Sequence, residues 1–231
     1  MDFPDFTMLL PMAIAPALIC AFYIYIRDKY EKEPIRLLLI GIIFGVIITY
    51  PIIHTENIVT ARLPAVGKAA EAFYLSFIVA AFVEEGYKFI LLYFLTWKNK
   101  NLNERFDGIV YAVFISLGFA GLENILYVLS PEMGGFETAL MRAVYSVPGH
   151  AFFGVAMGYY FALSKFENHN RKSFMLKAFL VPWAIHGVYN FILLSGYKYF
   201  MFAFIPFLFW LWLSGFKKMR VHLEKSPFKK G

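Results

Sequence analysis

Seven stretches of this chain, residues 7–26, 35–53, 73–96, 107–130, 143–164, 174–195 and 198–216, are almost uninterrupted apolar sequence. A helix needs roughly 20 such residues to cross about 30 Å of hydrocarbon. The expected fold is therefore all-α, a polytopic membrane bundle of about seven transmembrane helices. The connections are short and carry breakers: Glu33-Pro34, Leu63-Pro64, Pro131 with Gly134-Gly135, and Ser195-Gly196. They leave no room for a separate soluble domain, so residues 1–231 read as one transmembrane domain. A composition that is 60% hydrophobic and 16% charged excludes a soluble globule, a disordered chain and a secreted disulfide scaffold. The single cysteine, Cys20, forms neither an internal disulfide nor a metal cluster. The leader is acidic (Asp2, Asp5) rather than basic, so the first segment is expected to stay as a helix rather than to be cleaved.

The 22 Lys and Arg exceed the 16 Asp and Glu, but their placement matters more than their number. Alternate connections hold Arg27, Lys29, Lys32 and Arg36, then Lys98, Lys100 and Arg105, then Lys165, Arg171, Lys172 and Lys177, and the tail holds Lys217, Lys218, Arg220, Lys225, Lys229 and Lys230. The other side has only Arg62, Lys68, Arg142 and Lys198. By the positive-inside rule the C-terminus is cytoplasmic and the N-terminus outside. The basic excess is a topology signal, and no nucleic-acid partner is expected.

Ionisable residues at mid-membrane are expensive and point to function. Glu84, Glu85 and Lys88 lie in the third segment, Glu123 beside Asn124 in the fourth, His150 at the start of the fifth, and His186 four residues before Asn190 in the sixth. Lys88 is four residues from Glu84 and three from Glu85, so either acid is within its reach and the spacing leaves the pairing open. Asn124 reads equally well as glue between helices or as part of a site. At 1.5 Å rise per residue, Glu85, Glu123, His150 and His186 fall within about 7 Å of one depth on four separate helices. Gly118 and Gly121 in the fourth segment, and Gly154 and Gly158 in the fifth, provide faces for close helix contact. His54, His169 and His222 are expected to be solvated.

Such a layer can activate water, with one glutamate as general base and a histidine, amide or lysine stabilising the developing oxyanion. It can also hold zinc, with His150, His186 and Glu123 as candidate ligands and water in the fourth position. No His-Glu-x-x-His run is present, and neither Ser116 nor Ser146 has a nucleophile's context. A proton-coupled or ion transporter would use the same kinds of residue.

Glu84-Glu85-x-x-Lys88, Phe119-x-x-x-Glu123-Asn124, His150 and His186-x-x-x-Asn190 together resemble the PrsW intramembrane proteases, relatives of the CAAX prenyl endopeptidases and bacteriocin-processing enzymes. The motifs span residues 73–195. The resemblance implies a multi-pass protease of the bacterial cytoplasmic membrane. Its expected reaction is site-1 cleavage of a single-span anti-sigma factor on the extracytoplasmic side, the first step of a proteolytic stress response. It implies Glu84, Glu85, Glu123, His150 and His186 as catalytic, with Lys88, Asn124 and Asn190 supporting. The CAAX enzymes carry an arginine after the paired glutamates and a histidine where this chain has Glu123, so prenyl-protein processing is not expected. Both metal-dependent and glutamate-dependent mechanisms are compatible with the resemblance.

Overall fold

The computed structural model describes residues 6–63 and 65–229; Asp2, Asp5, Pro64 and Lys230 lie outside the described residues. The described chain folds into seven consecutive helices. Five are unbroken and long and apolar enough to cross a membrane: α1 (Phe6–Arg27), α2 (Ile35–Thr60), α4 (Arg105–Val128), α6 (Arg171–Leu194) and α7 (Lys198–Glu224). The other two are composites. α3 covers residues 68–96, with a π-helical stretch at Tyr74–Ala81, and α5 covers residues 136–166, with one at Arg142–Ser146.

The helix ends depart from the hydropathy boundaries. α2 continues past Pro51 to Thr60, because a proline in a membrane helix is tolerated when neighbours re-satisfy the freed backbone. α5 begins seven residues earlier than the apolar run at 143, so Arg142 lies inside a helix instead of in a loop. α7 runs on to Glu224, and this overturns the expectation that His222 is solvated. Its ring is buried, bonded through Nδ1 to the Arg105 carbonyl at 2.9 Å and stacked on Tyr159. His54 and His169 are exposed as expected.

The bundle is organised around α4. Residues 106–120 are buried on every face, which is how a helix without a polar side behaves when other helices surround it. The small residues set how close the neighbours come. A Cβ on Gly45 of α2 would strike the Ile115 carbonyl of α4, and one on Gly118 would strike the Ile42 backbone. On the opposite side a Cβ on Gly158 of α5 would run into the Gly108 carbonyl and Ile109, and Gly154 lies against Val113 and Ser116. Backbones at van der Waals contact bring α2, α4 and α5 close enough for short side chains to meet between them. Gly135, at φ 109°, adopts a conformation closed to other residues, and its N–H reaches the Val128 carbonyl at 2.9 Å to turn the chain from α4 into α5.

The basic connections converge on one end of the bundle. Lys165 donates to the Trp97 carbonyl at 2.5 Å, and Arg105 pairs with Glu167 at 2.7 Å, joining the ends of α3, α4 and α5. Replacing Gly158 by Leu is expected to destabilise the protein by about 3 kcal/mol, the cost of overpacking a tight contact. Gly67→Ala, with open space around its Cα, is expected to change nothing. Thermal unfolding in detergent compares the two.

Candidate active site

Each of the ionisable side chains is delivered by local backbone geometry. The π-helical stretch before Glu84 is packed against α6 at Gly187, where any Cβ would collide with the Phe77 ring. Trp183 of α6 donates its indole N–H to the Phe77 carbonyl at 2.8 Å, supplying a donor at that wide turn. π-turns frequently accompany functional sites because they shift the face on which the following residues emerge. Here the residues that follow are Glu84, Glu85 and Lys88. The second π-turn, Arg142–Ser146, stands in the same relation to His150 on α5.

Lys88 is fully buried and is the hub of the cluster. Its ammonium donates to Glu84 Oε2 at 3.0 Å, to Glu85 Oε1 at 2.9 Å and to His150 Nδ1 at 3.3 Å, and it lies over the Phe119 ring at 4.1 Å. Both glutamates are therefore paired, where the spacing alone allowed either. His186 donates from Nδ1 to Glu85 Oε1 at 3.0 Å and accepts from the Asn190 amide on Nε2 at 3.1 Å, so its ring proton is on Nδ1. Phe153 stacks on the same ring, with centroids 4.6 Å apart.

A second group adjoins the first through His150. The Nε2 of His150 lies 3.2 Å from Glu123 Oε2, and Arg142 bonds the same carboxylate at 2.6 Å. Arg142 also donates from Nε to Asn124 Oδ1 at 2.9 Å, and the Asn124 amide donates to the Ala13 carbonyl of α1 at 2.7 Å. Asn124 thus binds α1, α4 and α5 together. Arg142 is the residue that sequence reasoning missed, having been counted with the loops. Its position eight residues before His150, two turns along one helix, is the signal that would have found it.

The cluster forms one wall of a cavity of about 860 Å³. Glu84, Glu123, His150, His186 and Asn190 face this cavity, whereas Glu85 and Lys88 sit behind its wall. Glu56, on the part of α2 that continues past Pro51, also lines it and was not singled out by sequence. Thr60, Met133, Leu194 and Met201, at helix ends away from the basic connections, complete the lining, so the cavity extends toward the opposite end of the bundle.

Glu84, Glu85, His150 and His186 each offer a ligand atom within 4.8 Å of the others. Two imidazoles and two carboxylates are a donor set that zinc accepts. The Lys88 ammonium, held by three of the four, marks a point where this cluster already accommodates a positive charge. Glu123 is not within this group; it lies against His150 Nε2 and Arg142, in the place of an outer carboxylate that orients a ligating histidine.

Residues 33–213 match the family model described as PrsW family intramembrane metalloprotease. A protein named Protease PrsW from Geobacillus kaustophilus (strain HTA426) is 38% identical over 214 residues, 92% of each chain. Its namesake from Bacillus subtilis (strain 168) is 36% identical over 210 residues, covering 90% of this chain and 93% of the relative. That from Clostridioides difficile (strain 630) is 35% identical over 218 residues, covering 93% and 91%. No solved structure matches the chain.

Removing the hub cation leaves two buried carboxylates without their counter-charge. Lys88→Met is expected to lower stability by about 3–5 kcal/mol, the cost of breaking a buried ion pair from one side. The double variant Lys88→Met, Glu85→Gln is expected to recover part of that loss. Thermal unfolding and yield of the folded proteins measure both.

Proposed function

The chain belongs to the PrsW family of intramembrane metalloproteases, and on that premise we propose that it makes the site-1 cut in a single-span membrane anti-sigma factor, with Glu84 activating the water. It is a multi-pass membrane peptidase, so a transporter's use of the same residues is set aside. The observation that carries the assignment of roles is the division of the paired acids: Glu84 lines the cavity and Glu85 lies behind it.

On this reading a peptide segment enters the cavity, and Glu84 takes a proton from a water that adds to the scissile carbonyl. Lys88 holds Glu84 in place. Glu85 fixes the tautomer of His186, whose partner Asn190 presents an amide to the same cavity wall. The second N–H of the Asn190 amide, beyond the one given to His186, is then the donor that stabilises the developing oxyanion. A zinc ion would be held by His150, His186 and one of the paired glutamates, and would supply Lewis-acid polarisation of the carbonyl. Glu123 and Arg142 would orient His150 in either case.

The distribution of charge supports an extracytoplasmic cut. The cavity runs toward the end that lacks the basic connections, and the positive-inside rule makes that end extracytoplasmic. A substrate anchored by one span would present its outer juxtamembrane segment there.

Cleavage of a tagged single-span anti-sigma factor in liposomes tests the assignment. Glu84→Gln is expected to lower the rate by at least about 10²-fold while unfolding at the wild-type temperature. Equal cleavage by a folded Glu84→Gln protein would remove that residue from the role of base. Metal content of the purified wild type and His150→Ala, read by mass spectrometry, reports on the zinc independently of activity.

A further inference from the structure

Five carboxylates gather at the basic end of the bundle, where the connection from α1 to α2 meets the start of α4. Asp28, Glu104 and Asp107 offer oxygens within 4.8 Å of one another, and so do Glu31, Glu33 and Asp107. Asp28, Glu33, Glu104 and Asp107 are each no more than 2% exposed. Among the described residues none of the five is in an ion pair. Arg105, the adjacent cation, is taken by Glu167. Lys32 is near enough to Asp28 to favour its ionised form, but its ammonium is bonded to the Tyr25 carbonyl.

One oxygen of each central acid is fixed. Asp28 Oδ2 accepts the Glu33 N–H at 3.1 Å, and Asp107 Oδ2 accepts the N–H groups of Asn103 at 2.8 Å and Glu104 at 2.7 Å. Glu33 Oε2 accepts the Tyr111 hydroxyl. The remaining oxygens, Asp28 Oδ1, Glu33 Oε1 and Asp107 Oδ1, are buried with no donor. The carboxyls of Glu33 and Asp107 lie against one another. Buried carboxylates without a counter-charge are costly, and only a proton or a cation relieves them.

An all-oxygen set of several carboxylates suits a hard cation and is wrong for a soft one. We infer that this cluster binds a hard divalent cation of the calcium and magnesium class, which clamps the α1–α2 connection onto the start of α4. The site is separate from the candidate active site and does not rest on the peptidase reading.

The test uses the full chain in detergent, stripped with a chelator, in a Glu84→Gln, His150→Ala background that removes one carboxylate and one imidazole from the intramembrane donor set. Calcium or magnesium is expected to raise the unfolding temperature by about 5 °C at saturation. Manganese, used as a paramagnetic probe, is expected to bind, with affinity falling at least about tenfold in Glu33→Gln and Asp107→Asn. Should Asp107→Asn fail to fold, Glu31→Gln, at the half-exposed edge, is expected to show the same loss. Manganese binding unchanged in Glu33→Gln would overturn the site. So would a protein whose unfolding temperature no divalent ion raises.

Discussion

The arrangement of this protein's interior depends on one ammonium group. Lys88, with no exposed surface, is the cation that two adjacent glutamates share in the interior of the bundle. Burying a carboxylate without compensation costs several kcal/mol, so Glu84 and Glu85 are tolerable only where Lys88 can reach both. Helical spacing of three and four residues makes that possible within one helix. The rest of the polar network grows outward from this point: His150 and His186 meet the same charges, Glu123 meets His150, and Arg142 meets Glu123. Across the network three glutamates face two permanent cations, which leaves a residual negative charge beside the cavity. That residue of charge is what a proton-accepting glutamate or a bound metal ion needs.

Such a network requires helices whose backbones nearly touch. The glycines of α2, α4 and α5 bring them to that distance, and α4 becomes the buried axis on which the others pack. The two π-turns then set the faces from which Glu84 and His150 emerge. Aromatic rings close the remaining space, Phe119 beneath Lys88 and Phe153 against His186. In this protein the aromatic side chains therefore do more than fill the core, because they hold charged and titratable groups in fixed positions.

Much of this was legible in the chain. Long apolar runs specify spanning helices because lipid leaves few other options, and the order of the helices follows from their succession. The mid-membrane glutamates and histidines stood out because the same physics makes them expensive. What could not be read was tied to helix ends. Arg142 looked like a loop cation because it stands just before the apolar run at 143, whereas its helix already starts at Phe136. Glu56 was passed over because it lies beyond the apolar run at 35–53, whereas α2 continues to Thr60. His222 looked solvated because the tail is basic, yet α7 carries its helix past the membrane span and packs the imidazole on Tyr159. The five-carboxylate cluster escaped notice because its members are separated by some seventy residues and each sits near a lysine or arginine in sequence.

The sequence by itself determined a seven-helix membrane bundle, the uneven distribution of its basic connections and the set of residues that would have to be accounted for inside the membrane. These follow from the cost of placing polar groups in hydrocarbon, which depends on residue type and position along a helix. Only the tertiary structure decided which acid faces the cavity, that Lys88 serves both glutamates, and that Glu123 stands behind His150 beside Arg142 and outside the four-donor group. Those outcomes depend on the rotation and depth of one helix against another, set by glycine contacts and π-turns that hydropathy does not encode.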